Sequence, residues 1–327
     1  MLNSKISKFF KNKKILITGG TGMIGRSVVE LLKKTDCKIL TVSLDRISIK
    51  NCKHIIGDLT DFNFCKKITK NIDYVFHIAG IKGSVDVTIK KPASFFVPLL
   101  MFNTNILEAS RINNIKRLVY VSSIGAYKNG NIFKEKEGFA GEPMDRYPGW
   151  AKRMAELQIR SYTDQYRLKN YSIVRPCNVY GPGDNFDPKN AMVIPSLMHK
   201  ILNSKGKPIE IWGDGSAIRD FAYTDDVALG IIQAMYYGTK NSFVNLASGK
   251  GYSIKELVQT LNSFIDFQYK FQPKKASGFS KRVMDISLAK KIINYKPNTS
   301  LRDGLQKTWE WFKMNKNEFK NKKNYFI

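Results

Sequence analysis

Three glycines at T-G-x-x-G-x-x-G spacing carry the clearest chemical signal in the sequence. Gly19, Gly22 and Gly25 follow the apolar run Ile15–Ile17 and precede a segment of helical periodicity at 26–32. A strand, a glycine turn and a helix opening, in that order, are the context of a dinucleotide fingerprint. In it Gly19 permits the tight turn, Gly22 lets backbone approach a pyrophosphate, and Gly25 allows close helix–strand packing. A glycine turn that binds nothing is the alternative, and the flanking pattern favours the dinucleotide.

Two acids follow the next two predicted strands. Asp45 comes after Lys38–Ser43, twenty residues beyond Gly25, where an acid bonds the ribose hydroxyls of NAD and repels a 2′-phosphate. Arg46 would instead favour NADP, and we expect NAD. Asp58 would accept from the adenine amino group, or cap the helix that follows, or both. The remaining expected cofactor contacts are Met23, Ile24, Leu59, Ala79 and Gly80.

Strands alternate with helices along the first half of the chain, which predicts an α/β fold with a doubly wound parallel sheet. From Pro176 glycine, proline and asparagine dominate, and shorter, mixed elements follow. We therefore expect a dinucleotide-binding domain at 1–180, to which 221–248 returns, and a smaller substrate lobe at 181–220 and 249–327. The basic N-terminal segment is expected to pack on the domain by its apolar side, with contact to a membrane surface as the alternative. The lysine- and asparagine-rich tail from Lys313 is expected to fray.

The amino-acid composition limits the classes of function that the protein can have. The 327 residues carry a formal net charge of +27, but the lysines are spread along the whole chain. This spread makes nucleic-acid binding the minor interpretation, and a positive field also suits small anionic substrates. Four cysteines without paired spacing and three scattered histidines favour a reduced, cytoplasmic compartment and no metal site. We expect neither a signal peptide nor a membrane span.

Two later segments bear hydroxyl and amine groups. Ser122–Tyr127 ends the fifth predicted strand, where open α/β sheets place ligands, and Tyr147–Lys152 opens a helix. With these segments the chain resembles the extended short-chain dehydrogenase/reductases of the nucleotide-sugar epimerase/dehydratase family. The motifs occur in the family's order: TGGTGMIG, GDLTD, HIAG, VSSIGAY, the GWAK segment, NVYGPGDNF and RDFAYTDDVA. The resemblance implies a Rossmann fold, an NAD cofactor and a homodimer formed by two long helices.

The resemblance also implies a catalytic Ser/Thr, Tyr and Lys. Ser123 would hydrogen-bond the sugar oxygen, and Lys152 would bond the nicotinamide ribose and lower the pKa of the tyrosine. The family spacing is Y-x-x-x-K, whereas here Pro148 stands in the tyrosine position and Tyr147 is five residues before Lys152. On one helix that spacing turns the pair about 140° apart. If Pro148 is the first helical residue, Tyr147 is free to swing back; Tyr127 is the fallback, and a structural tyrosine is the alternative.

The substrate side is similar to that of the GDP-fucose synthases. By that similarity the substrate site would comprise Lys82, Ser123, Asn178, Val193, Leu197, Lys200, Trp212 and Arg219. Lys200 and Arg219 have the charge that a diphosphate requires. Core packing is the alternative for Val193, Leu197 and Trp212, and Asp225 is expected to be a helix N-cap.

Differences from the related enzymes at positions 124, 125 and 192 limit the reaction that the resemblance implies. Gly125 and Met192 stand where the GDP-fucose synthases carry a cysteine and a histidine, and neither exchanges a proton. Ile124–Gly125 likewise replaces the Asp–Glu pair of the dehydratases. The reaction that the resemblance still implies is NAD-dependent oxidation at C4 of a GDP-linked manno-type sugar, such as a GDP-manno-heptose. Its product would be a 4-keto sugar nucleotide for surface polysaccharide synthesis. A 4-epimerase, a 4-keto reductase and a non-catalytic nucleotide-binding protein are the alternatives.

Overall fold

The structure is a computed structural model that describes residues 2–47, 49–81, 83, 85–240, 242–275 and 278–322. The helices within these ranges are α1 Ser4–Phe10, α2 Met23–Leu32, α3 Phe62–Thr69, α4 Val85–Lys90, α5 Pro92–Ile112, α6 Arg146–Tyr166, α7 Val193–Asn203, α8 Thr224–Tyr237, α9 Ile254–Asn262, α10 Ser287–Ile293 and α11 Leu301–Met314. The strands are β1 Lys14–Thr18, β2 Lys38–Ser43, β3 Lys53–Ile56, β4 Tyr74–His77, β5 Arg117–Val121, β6 Ile132–Phe133, β7 Tyr171–Pro176, β8 Asn178–Tyr180, β9 Ile209–Trp212, β10 Ile218–Arg219, β11 Phe221–Tyr223, β12 Phe243–Leu246, β13 Tyr252–Ser253, β14 Tyr269–Gln272 and β15 Lys281–Met284.

Seven parallel strands form the central sheet, in the order β3-β2-β1-β4-β5-β7-β12. Strands β4, β7 and β12 are buried at every position, because helices cover both faces of the sheet and their near-continuous apolar runs suit that environment. The predicted doubly wound parallel sheet is therefore confirmed. The strand order reverses between β1 and β4, and such a switch point opens a crevice at the carboxyl ends of the strands.

The buried apolar side chains form two separate hydrophobic cores. The first surrounds the central sheet and also includes Met284 and Tyr295, from a segment that the sequence assigned to the second lobe. The second joins α7, α9 and α11 through residues such as Met198, Leu257 and Phe312.

Helix α1 packs on the sheet domain as expected. Asn3 caps it by accepting from the Ile6 N–H at 2.9 Å, and the side chains of Ile6 and Phe10 are buried. Phe9 stacks on Tyr74 with ring centroids 4.9 Å apart. The apolar side of this basic segment therefore faces protein.

Two predicted helix caps are corrected. Asp61, and not Asp58, caps α3 by accepting from two backbone N–H groups at 2.8 and 3.1 Å. Helix α8 follows β11 without a loop, so its N-cap is Tyr223 and Asp225 lies in its first turn, where a carboxylate favours the helix dipole.

Within the described ranges, no helix is long and apolar enough to cross a membrane. The same ranges contain no group of three or more His, Cys, Asp or Glu side chains arranged to hold a metal ion.

A buried ion pair joins helix α6 to strand β7 beneath the sheet edge. The Arg175 guanidinium donates from Nε to Glu156 Oε1 at 2.8 Å and from Nη2 to Glu156 Oε2 at 2.5 Å, and both side chains are 0% exposed. A third donor, Nη1, reaches the Gly138 carbonyl at 3.0 Å. The pair fixes α6, which carries Lys152, against the sheet.

Breaking this pair leaves one buried charge without a partner, which typically costs about 3–5 kcal/mol. We therefore expect Arg175→Met to lower the free energy of unfolding by about that amount in urea denaturation. The matched control is Lys275→Met, which removes an exposed pair with Glu210 and should cost about 0–1 kcal/mol. Equal urea midpoints for the two variants would contradict the structural role of the Arg175 pair.

Candidate active site

The glycine turn after β1 is built from close backbone contacts. Gly19 has φ +70°, and its N–H donates to the Val42 carbonyl at 2.7 Å. A Cβ on Gly19 would lie 2.8 Å from the Ala79 Cα, and one on Gly25 would lie 2.2 Å from the Gly19 carbonyl oxygen. Gly22 is the N-cap of α2 and has no side chain to satisfy the free N–H groups. Those groups remain available to an anion at the helix N-terminus.

A cleft of about 590 Å³ opens at this turn, on the carboxyl edge of the sheet. The structure brings nearly all the expected cofactor residues together along its wall: Gly19, Gly22, Met23, Ile24, Gly25, Asp45, Asp58, Leu59, Ala79, Gly80 and Lys152. Arg46 does not line the cleft; its side chain is exposed. An elongated cleft that begins at a helix N-terminus and ends at a lysine fits a dinucleotide.

Asp45 marks one end of the cleft. Its Oδ2 accepts from the Thr21 hydroxyl at 2.6 Å, and its backbone N–H donates to Ser43 Oγ at 3.1 Å. The Thr21 bond holds one carboxylate oxygen in place. Asp45 lines the cleft, where an acid can accept from ribose hydroxyls and would repel a 2′-phosphate.

The C-terminal segment also contributes to this end of the cleft, so the expectation that the tail frays is wrong as far as Lys322. Glu318 forms a 2.8 Å ion pair with Arg26 in the first turn of α2. Lys322 Nζ donates to the carbonyls of Gly183 and Asp184 at 2.6 and 3.3 Å, and Lys322 and Phe319 line the cleft. Burial and the nearby Arg26 lower the pKa of Lys322. Composition alone predicted none of these long-range contacts.

Lys152 lies at the other end of the cleft. Its Nζ donates to the Val121 carbonyl at 2.8 Å and lies 5.1 Å from the centre of the Tyr120 ring. Burial lowers the pKa of Lys152 to about 8, against the opposing effect of Glu156. His77 is fully buried beneath it, bonded to Thr18 and Asn103, and burial together with Lys152 lowers the pKa of His77 to about 3. The imidazole is therefore neutral, and Lys152 is the cation at this end.

Two serines end strand β5 next to Lys152. The Ser122 hydroxyl is buried, lines the cleft, and makes no hydrogen bond with any residue that the structure describes. Ser123 is half-buried, and its Oγ accepts from the Gly125 N–H at 3.0 Å, which caps a single 3₁₀ turn. Sequence reasoning singled out Ser123 and missed Ser122, although both stand at the strand end. The free hydroxyl in the cleft is that of Ser122.

The structure does not bring Tyr147 to the cleft. Helix α6 begins at Arg146, so Tyr147 is its second residue and the arrangement in which Pro148 begins the helix does not occur. Tyr147 is 38% exposed and contacts Phe96 of α5 edge-on, with ring centroids 6.0 Å apart. Because Lys152 follows five residues later on the same helix, the two side chains diverge by about 140°.

The fallback tyrosine is also outside the cleft. Tyr127 is 1% exposed, and its hydroxyl donates to Asn245 Oδ1 at 2.8 Å. The Arg175 guanidinium lies 4.4 Å from its ring centre, and burial raises the pKa of the Tyr127 hydroxyl. This is a core tyrosine with a satisfied hydroxyl.

Two arginines are paired across neighbouring strands of the four-stranded sheet β13-β10-β15-β6. Arg219 of β10 lies in register with Arg282 of β15. Arg282 stacks 3.7 Å from the Phe279 ring centre, and its buried Nε and Nη2 have no hydrogen-bond partner in the described chain. Burial, with Arg219 alongside and against the effect of Asp145, lowers the pKa of Arg282 to about 10. Two guanidinium groups held together in this way fit a ligand that carries more than one negative charge. Sequence reasoning found Arg219 and missed Arg282.

The other expected substrate residues divide into core and surface. Leu197 is buried in the second core, and Val193 packs against it. The Asn178 side chain donates to the Asp220 carbonyl at 3.0 Å. Around β9, Lys200 Nζ donates to the Glu210 carbonyl at 2.8 Å, and Trp212 is 61% exposed with Lys275 5.5 Å from its ring centre. Lys82 lies outside the described residues.

Sheet order, glycine turn and cleft together define a Rossmann-type dinucleotide-binding protein with a second lobe over the sheet edge. A family model described as "NAD dependent epimerase/dehydratase family" matches residues 15–247. The chain belongs to this family of NAD-dependent extended short-chain dehydrogenase/reductases.

Individual relatives cover nearly the whole chain. A GDP-L-colitose synthase of Yersinia pseudotuberculosis is 28% identical over 93% of this chain and 99% of its own. A putative UDP-glucose 4-epimerase of Methanocaldococcus jannaschii is 31% identical over 92% and 99%. The solved structure of a GDP-6-OMe-4-keto-L-xylo-heptose reductase from C. jejuni superposes with a TM-score of 0.79 at 25% identity, over 93% of this chain and 98% of that chain.

The position of Lys322 predicts a contribution to cofactor affinity. Its ammonium group lies beside the loop that covers the N-terminus of α2, where an anion is favoured. We expect Lys322→Met to weaken NAD binding roughly tenfold, the effect of losing about 1.4 kcal/mol of charge-assisted bonding. The dissociation constant is measured by titrating NAD into the protein and following the protein fluorescence.

Lys320→Met is the matched control, because Lys320 lies in the same turn with its side chain exposed. Its NAD affinity should equal that of the unaltered chain. An equal loss in both variants would indicate a nonspecific effect of net charge.

Proposed function

We propose that the protein oxidises the C4 hydroxyl of a GDP-linked manno-type sugar, with a GDP-manno-heptose as one candidate, using NAD. The observation that carries the proposal is the arrangement along the sheet edge. Lys152 closes the dinucleotide cleft beside Ser122, and Arg219 and Arg282 are paired across the neighbouring strands β10 and β15. A ligand with a diphosphate on one side and a hydroxyl-bearing ring on the other matches this arrangement.

The chain's own residues have distinct tasks in this proposal. Arg219 and Arg282 bind the diphosphate, which supplies the partner that the buried Nε and Nη2 of Arg282 lack. Ser122 and Ser123 donate to or accept from the sugar hydroxyls. Lys152 holds the ribose hydroxyls next to the nicotinamide. When bound, the cofactor supplies the hydride acceptor, and the protein contributes position and electrostatics.

The proposal limits the reaction to C4 because positions 125 and 192 lack the cysteine and histidine that the GDP-fucose synthases carry there. Gly125 has no side chain, and Met192, the N-cap of α7, has no titratable group. Relatives named for GDP-linked sugars support the GDP moiety, and a surface polysaccharide is the proposed destination of the product.

A 4-epimerase is the second candidate, and one observation favours it. The segment Asn315–Lys322 is bonded across the adenosine end of the cleft through Glu318 and Lys322. A covered dinucleotide dissociates slowly, which suits a reaction that returns the hydride to the same sugar. The M. jannaschii relative, described as a putative UDP-glucose 4-epimerase, supports the same candidate.

Absorbance at 340 nm separates these functions. Purified protein with NAD is mixed separately with GDP-mannose, a GDP-manno-heptose, UDP-glucose and dTDP-glucose. We expect a rise with the GDP-manno sugars and none with the others, because the reduced cofactor accumulates only in a net oxidation. No rise, with a C4-inverted sugar found by NMR, would favour the epimerase. Oxidation of NADH by a 4-keto sugar alone would favour the reductase.

We further propose a homodimer formed by α5 and α6. These two long helices pack together and leave a row of apolar side chains exposed: Val97, Met101, Met154 and Leu157, each 41–49% exposed. Contiguous exposed apolar side chains commonly mark an interface.

Size-exclusion chromatography with light scattering tests the dimer. We expect the unaltered chain to elute with twice the mass of 37.3 kDa, and Leu157→Glu to elute as a monomer, because a charge in a dry interface is unfavourable. Ile89→Glu on α4, where Ile89 is 73% exposed, is the control and should leave the mass unchanged. A monomeric unaltered chain would overturn the dimer.

A further inference from the structure

Oxidation at C4 requires a group that takes the hydroxyl proton, and the tyrosines do not supply it. Tyr147 faces α5 and Tyr127 is in the core. Tyr120 is fully buried, and burial raises its pKa well above the ordinary value. His77 is buried with both ring nitrogens engaged. These four side chains are each buried or engaged elsewhere, which directs attention to the carboxylate that lies against the segment after β5.

Asp145 is on the correct face of α6. It immediately precedes the helix, and Lys152 follows seven residues later. Over seven residues a helix completes two full turns less about 20°. Positions 145 and 152 therefore lie on the same face, about 10 Å apart along the helix axis. Position 148 lies on this face between them, and helical side chains lean toward the N-terminus. A side chain at 148 would thus extend toward the place that Asp145 occupies.

The Asp145 carboxylate is held against the loop that carries Ser123. A Cβ on Gly125 would lie only 2.2 Å from Asp145 Oδ2, so the carboxylate fills the space that a side chain at 125 would take. The Asp145 N–H donates to the Gly125 carbonyl at 3.2 Å, and the Gly149 N–H donates to the Asp145 carbonyl at 2.6 Å. Glycine at 125 is therefore what allows the acid to reach this position.

This carboxylate is not committed to a structural role. It makes no capping hydrogen bond, whereas Asp61, Ser253 and Ser300 each accept from the first turn of the helix they cap. Its side chain is reachable by solvent, yet the surrounding protein raises its pKa by desolvation, against the opposing effect of Arg282. An accessible carboxylate with a raised pKa is a suitable base.

We propose that Asp145 is the catalytic acid–base group that exchanges the proton of the substrate's C4 oxygen. The inference rests on the proposed function. In the oxidation the O–H bond breaks and its proton passes to a carboxylate oxygen of Asp145. The C4 hydrogen leaves as hydride to the nicotinamide of NAD, and the C4–O bond becomes a carbonyl. In the reverse direction Asp145 returns the proton.

Arg282 of β15 is the charged group that interacts with the Asp145 carboxylate, and Arg219 lies beside Arg282 in strand register. Arg146 is its neighbour on α6, Lys152 lies two turns further along, and the Ser123–Gly125 segment carries no ionisable side chain. As pH falls through the raised pKa of Asp145, the base becomes protonated and oxidation stops. The acidic limb of the pH–rate profile therefore belongs to Asp145.

The test compares Asp145→Asn with the unaltered chain in the 340 nm assay. We expect kcat to fall at least about 100-fold, the usual contribution of general base catalysis, with KM for the sugar and the Kd of NAD changed less than threefold. The acidic limb of the profile should disappear. Asp145→Glu, which keeps the carboxylate, should recover part of the rate. Asp164→Asn at the exposed far end of α6 and Tyr147→Phe are the controls and should retain full activity.

Thermal melting and NAD titration show whether each variant is folded. An Asp145→Asn protein that is folded and retains kcat within threefold overturns the role of Asp145. Loss of activity in Tyr147→Phe alone overturns it in favour of the tyrosine. If the unaltered chain turns over no nucleotide sugar in either direction, the proposed function fails first and the role of Asp145 fails with it.

Discussion

The contact between the β1 turn and the end of β4 is the constraint on which the site depends. Gly19 approaches Ala79 so closely that a Cβ would collide with backbone, and Gly25 does the same against the Gly19 carbonyl. These contacts bring the N-terminus of α2 to the crevice at the sheet's switch point. The positions of Asp45, Asp58 and Gly80 along the cleft follow from the parallel strands that end at the same edge.

A second close approach positions the catalytic end. Gly149 on α6 meets the Gly125 carbonyl, where a Cβ would lie 2.4 Å from the oxygen. The Arg175–Glu156 pair secures α6 to the sheet below this contact. These two contacts hold Lys152 in a buried position, where desolvation disfavours its charged form. A lysine with a lowered pKa at the wall of a cleft is typical of a functional site rather than of a hydrophobic core.

The basic residues occur in two different environments. Most lysines are exposed and spread over the surface, where their pairings contribute little. Arg26, Lys322, Arg219 and Arg282 are instead partly buried, the first two beside the N-terminus of α2 and the other two on the paired strands β10 and β15. Desolvation lowers the pKa of Lys322, Arg219 and Arg282, and an anion at these places would offset that penalty. The net charge thus reflects composition, while the site depends on these few cations.

The sequence by itself determined the parallel sheet and the glycine turn with its flanking acids, because apolar periodicity and φ-permissive spacing are local properties. It also predicted Lys152 at the cleft. Only the tertiary structure decided that Tyr147 faces α5 and that Ser122 rather than Ser123 has the free hydroxyl. It also decided that Asp145 lies against Gly125, that Arg282 pairs with Arg219 and that Lys322 lines the cleft. Those outcomes depend on where a helix begins and on contacts between distant segments, such as Glu318 with Arg26, and no local pattern encodes either.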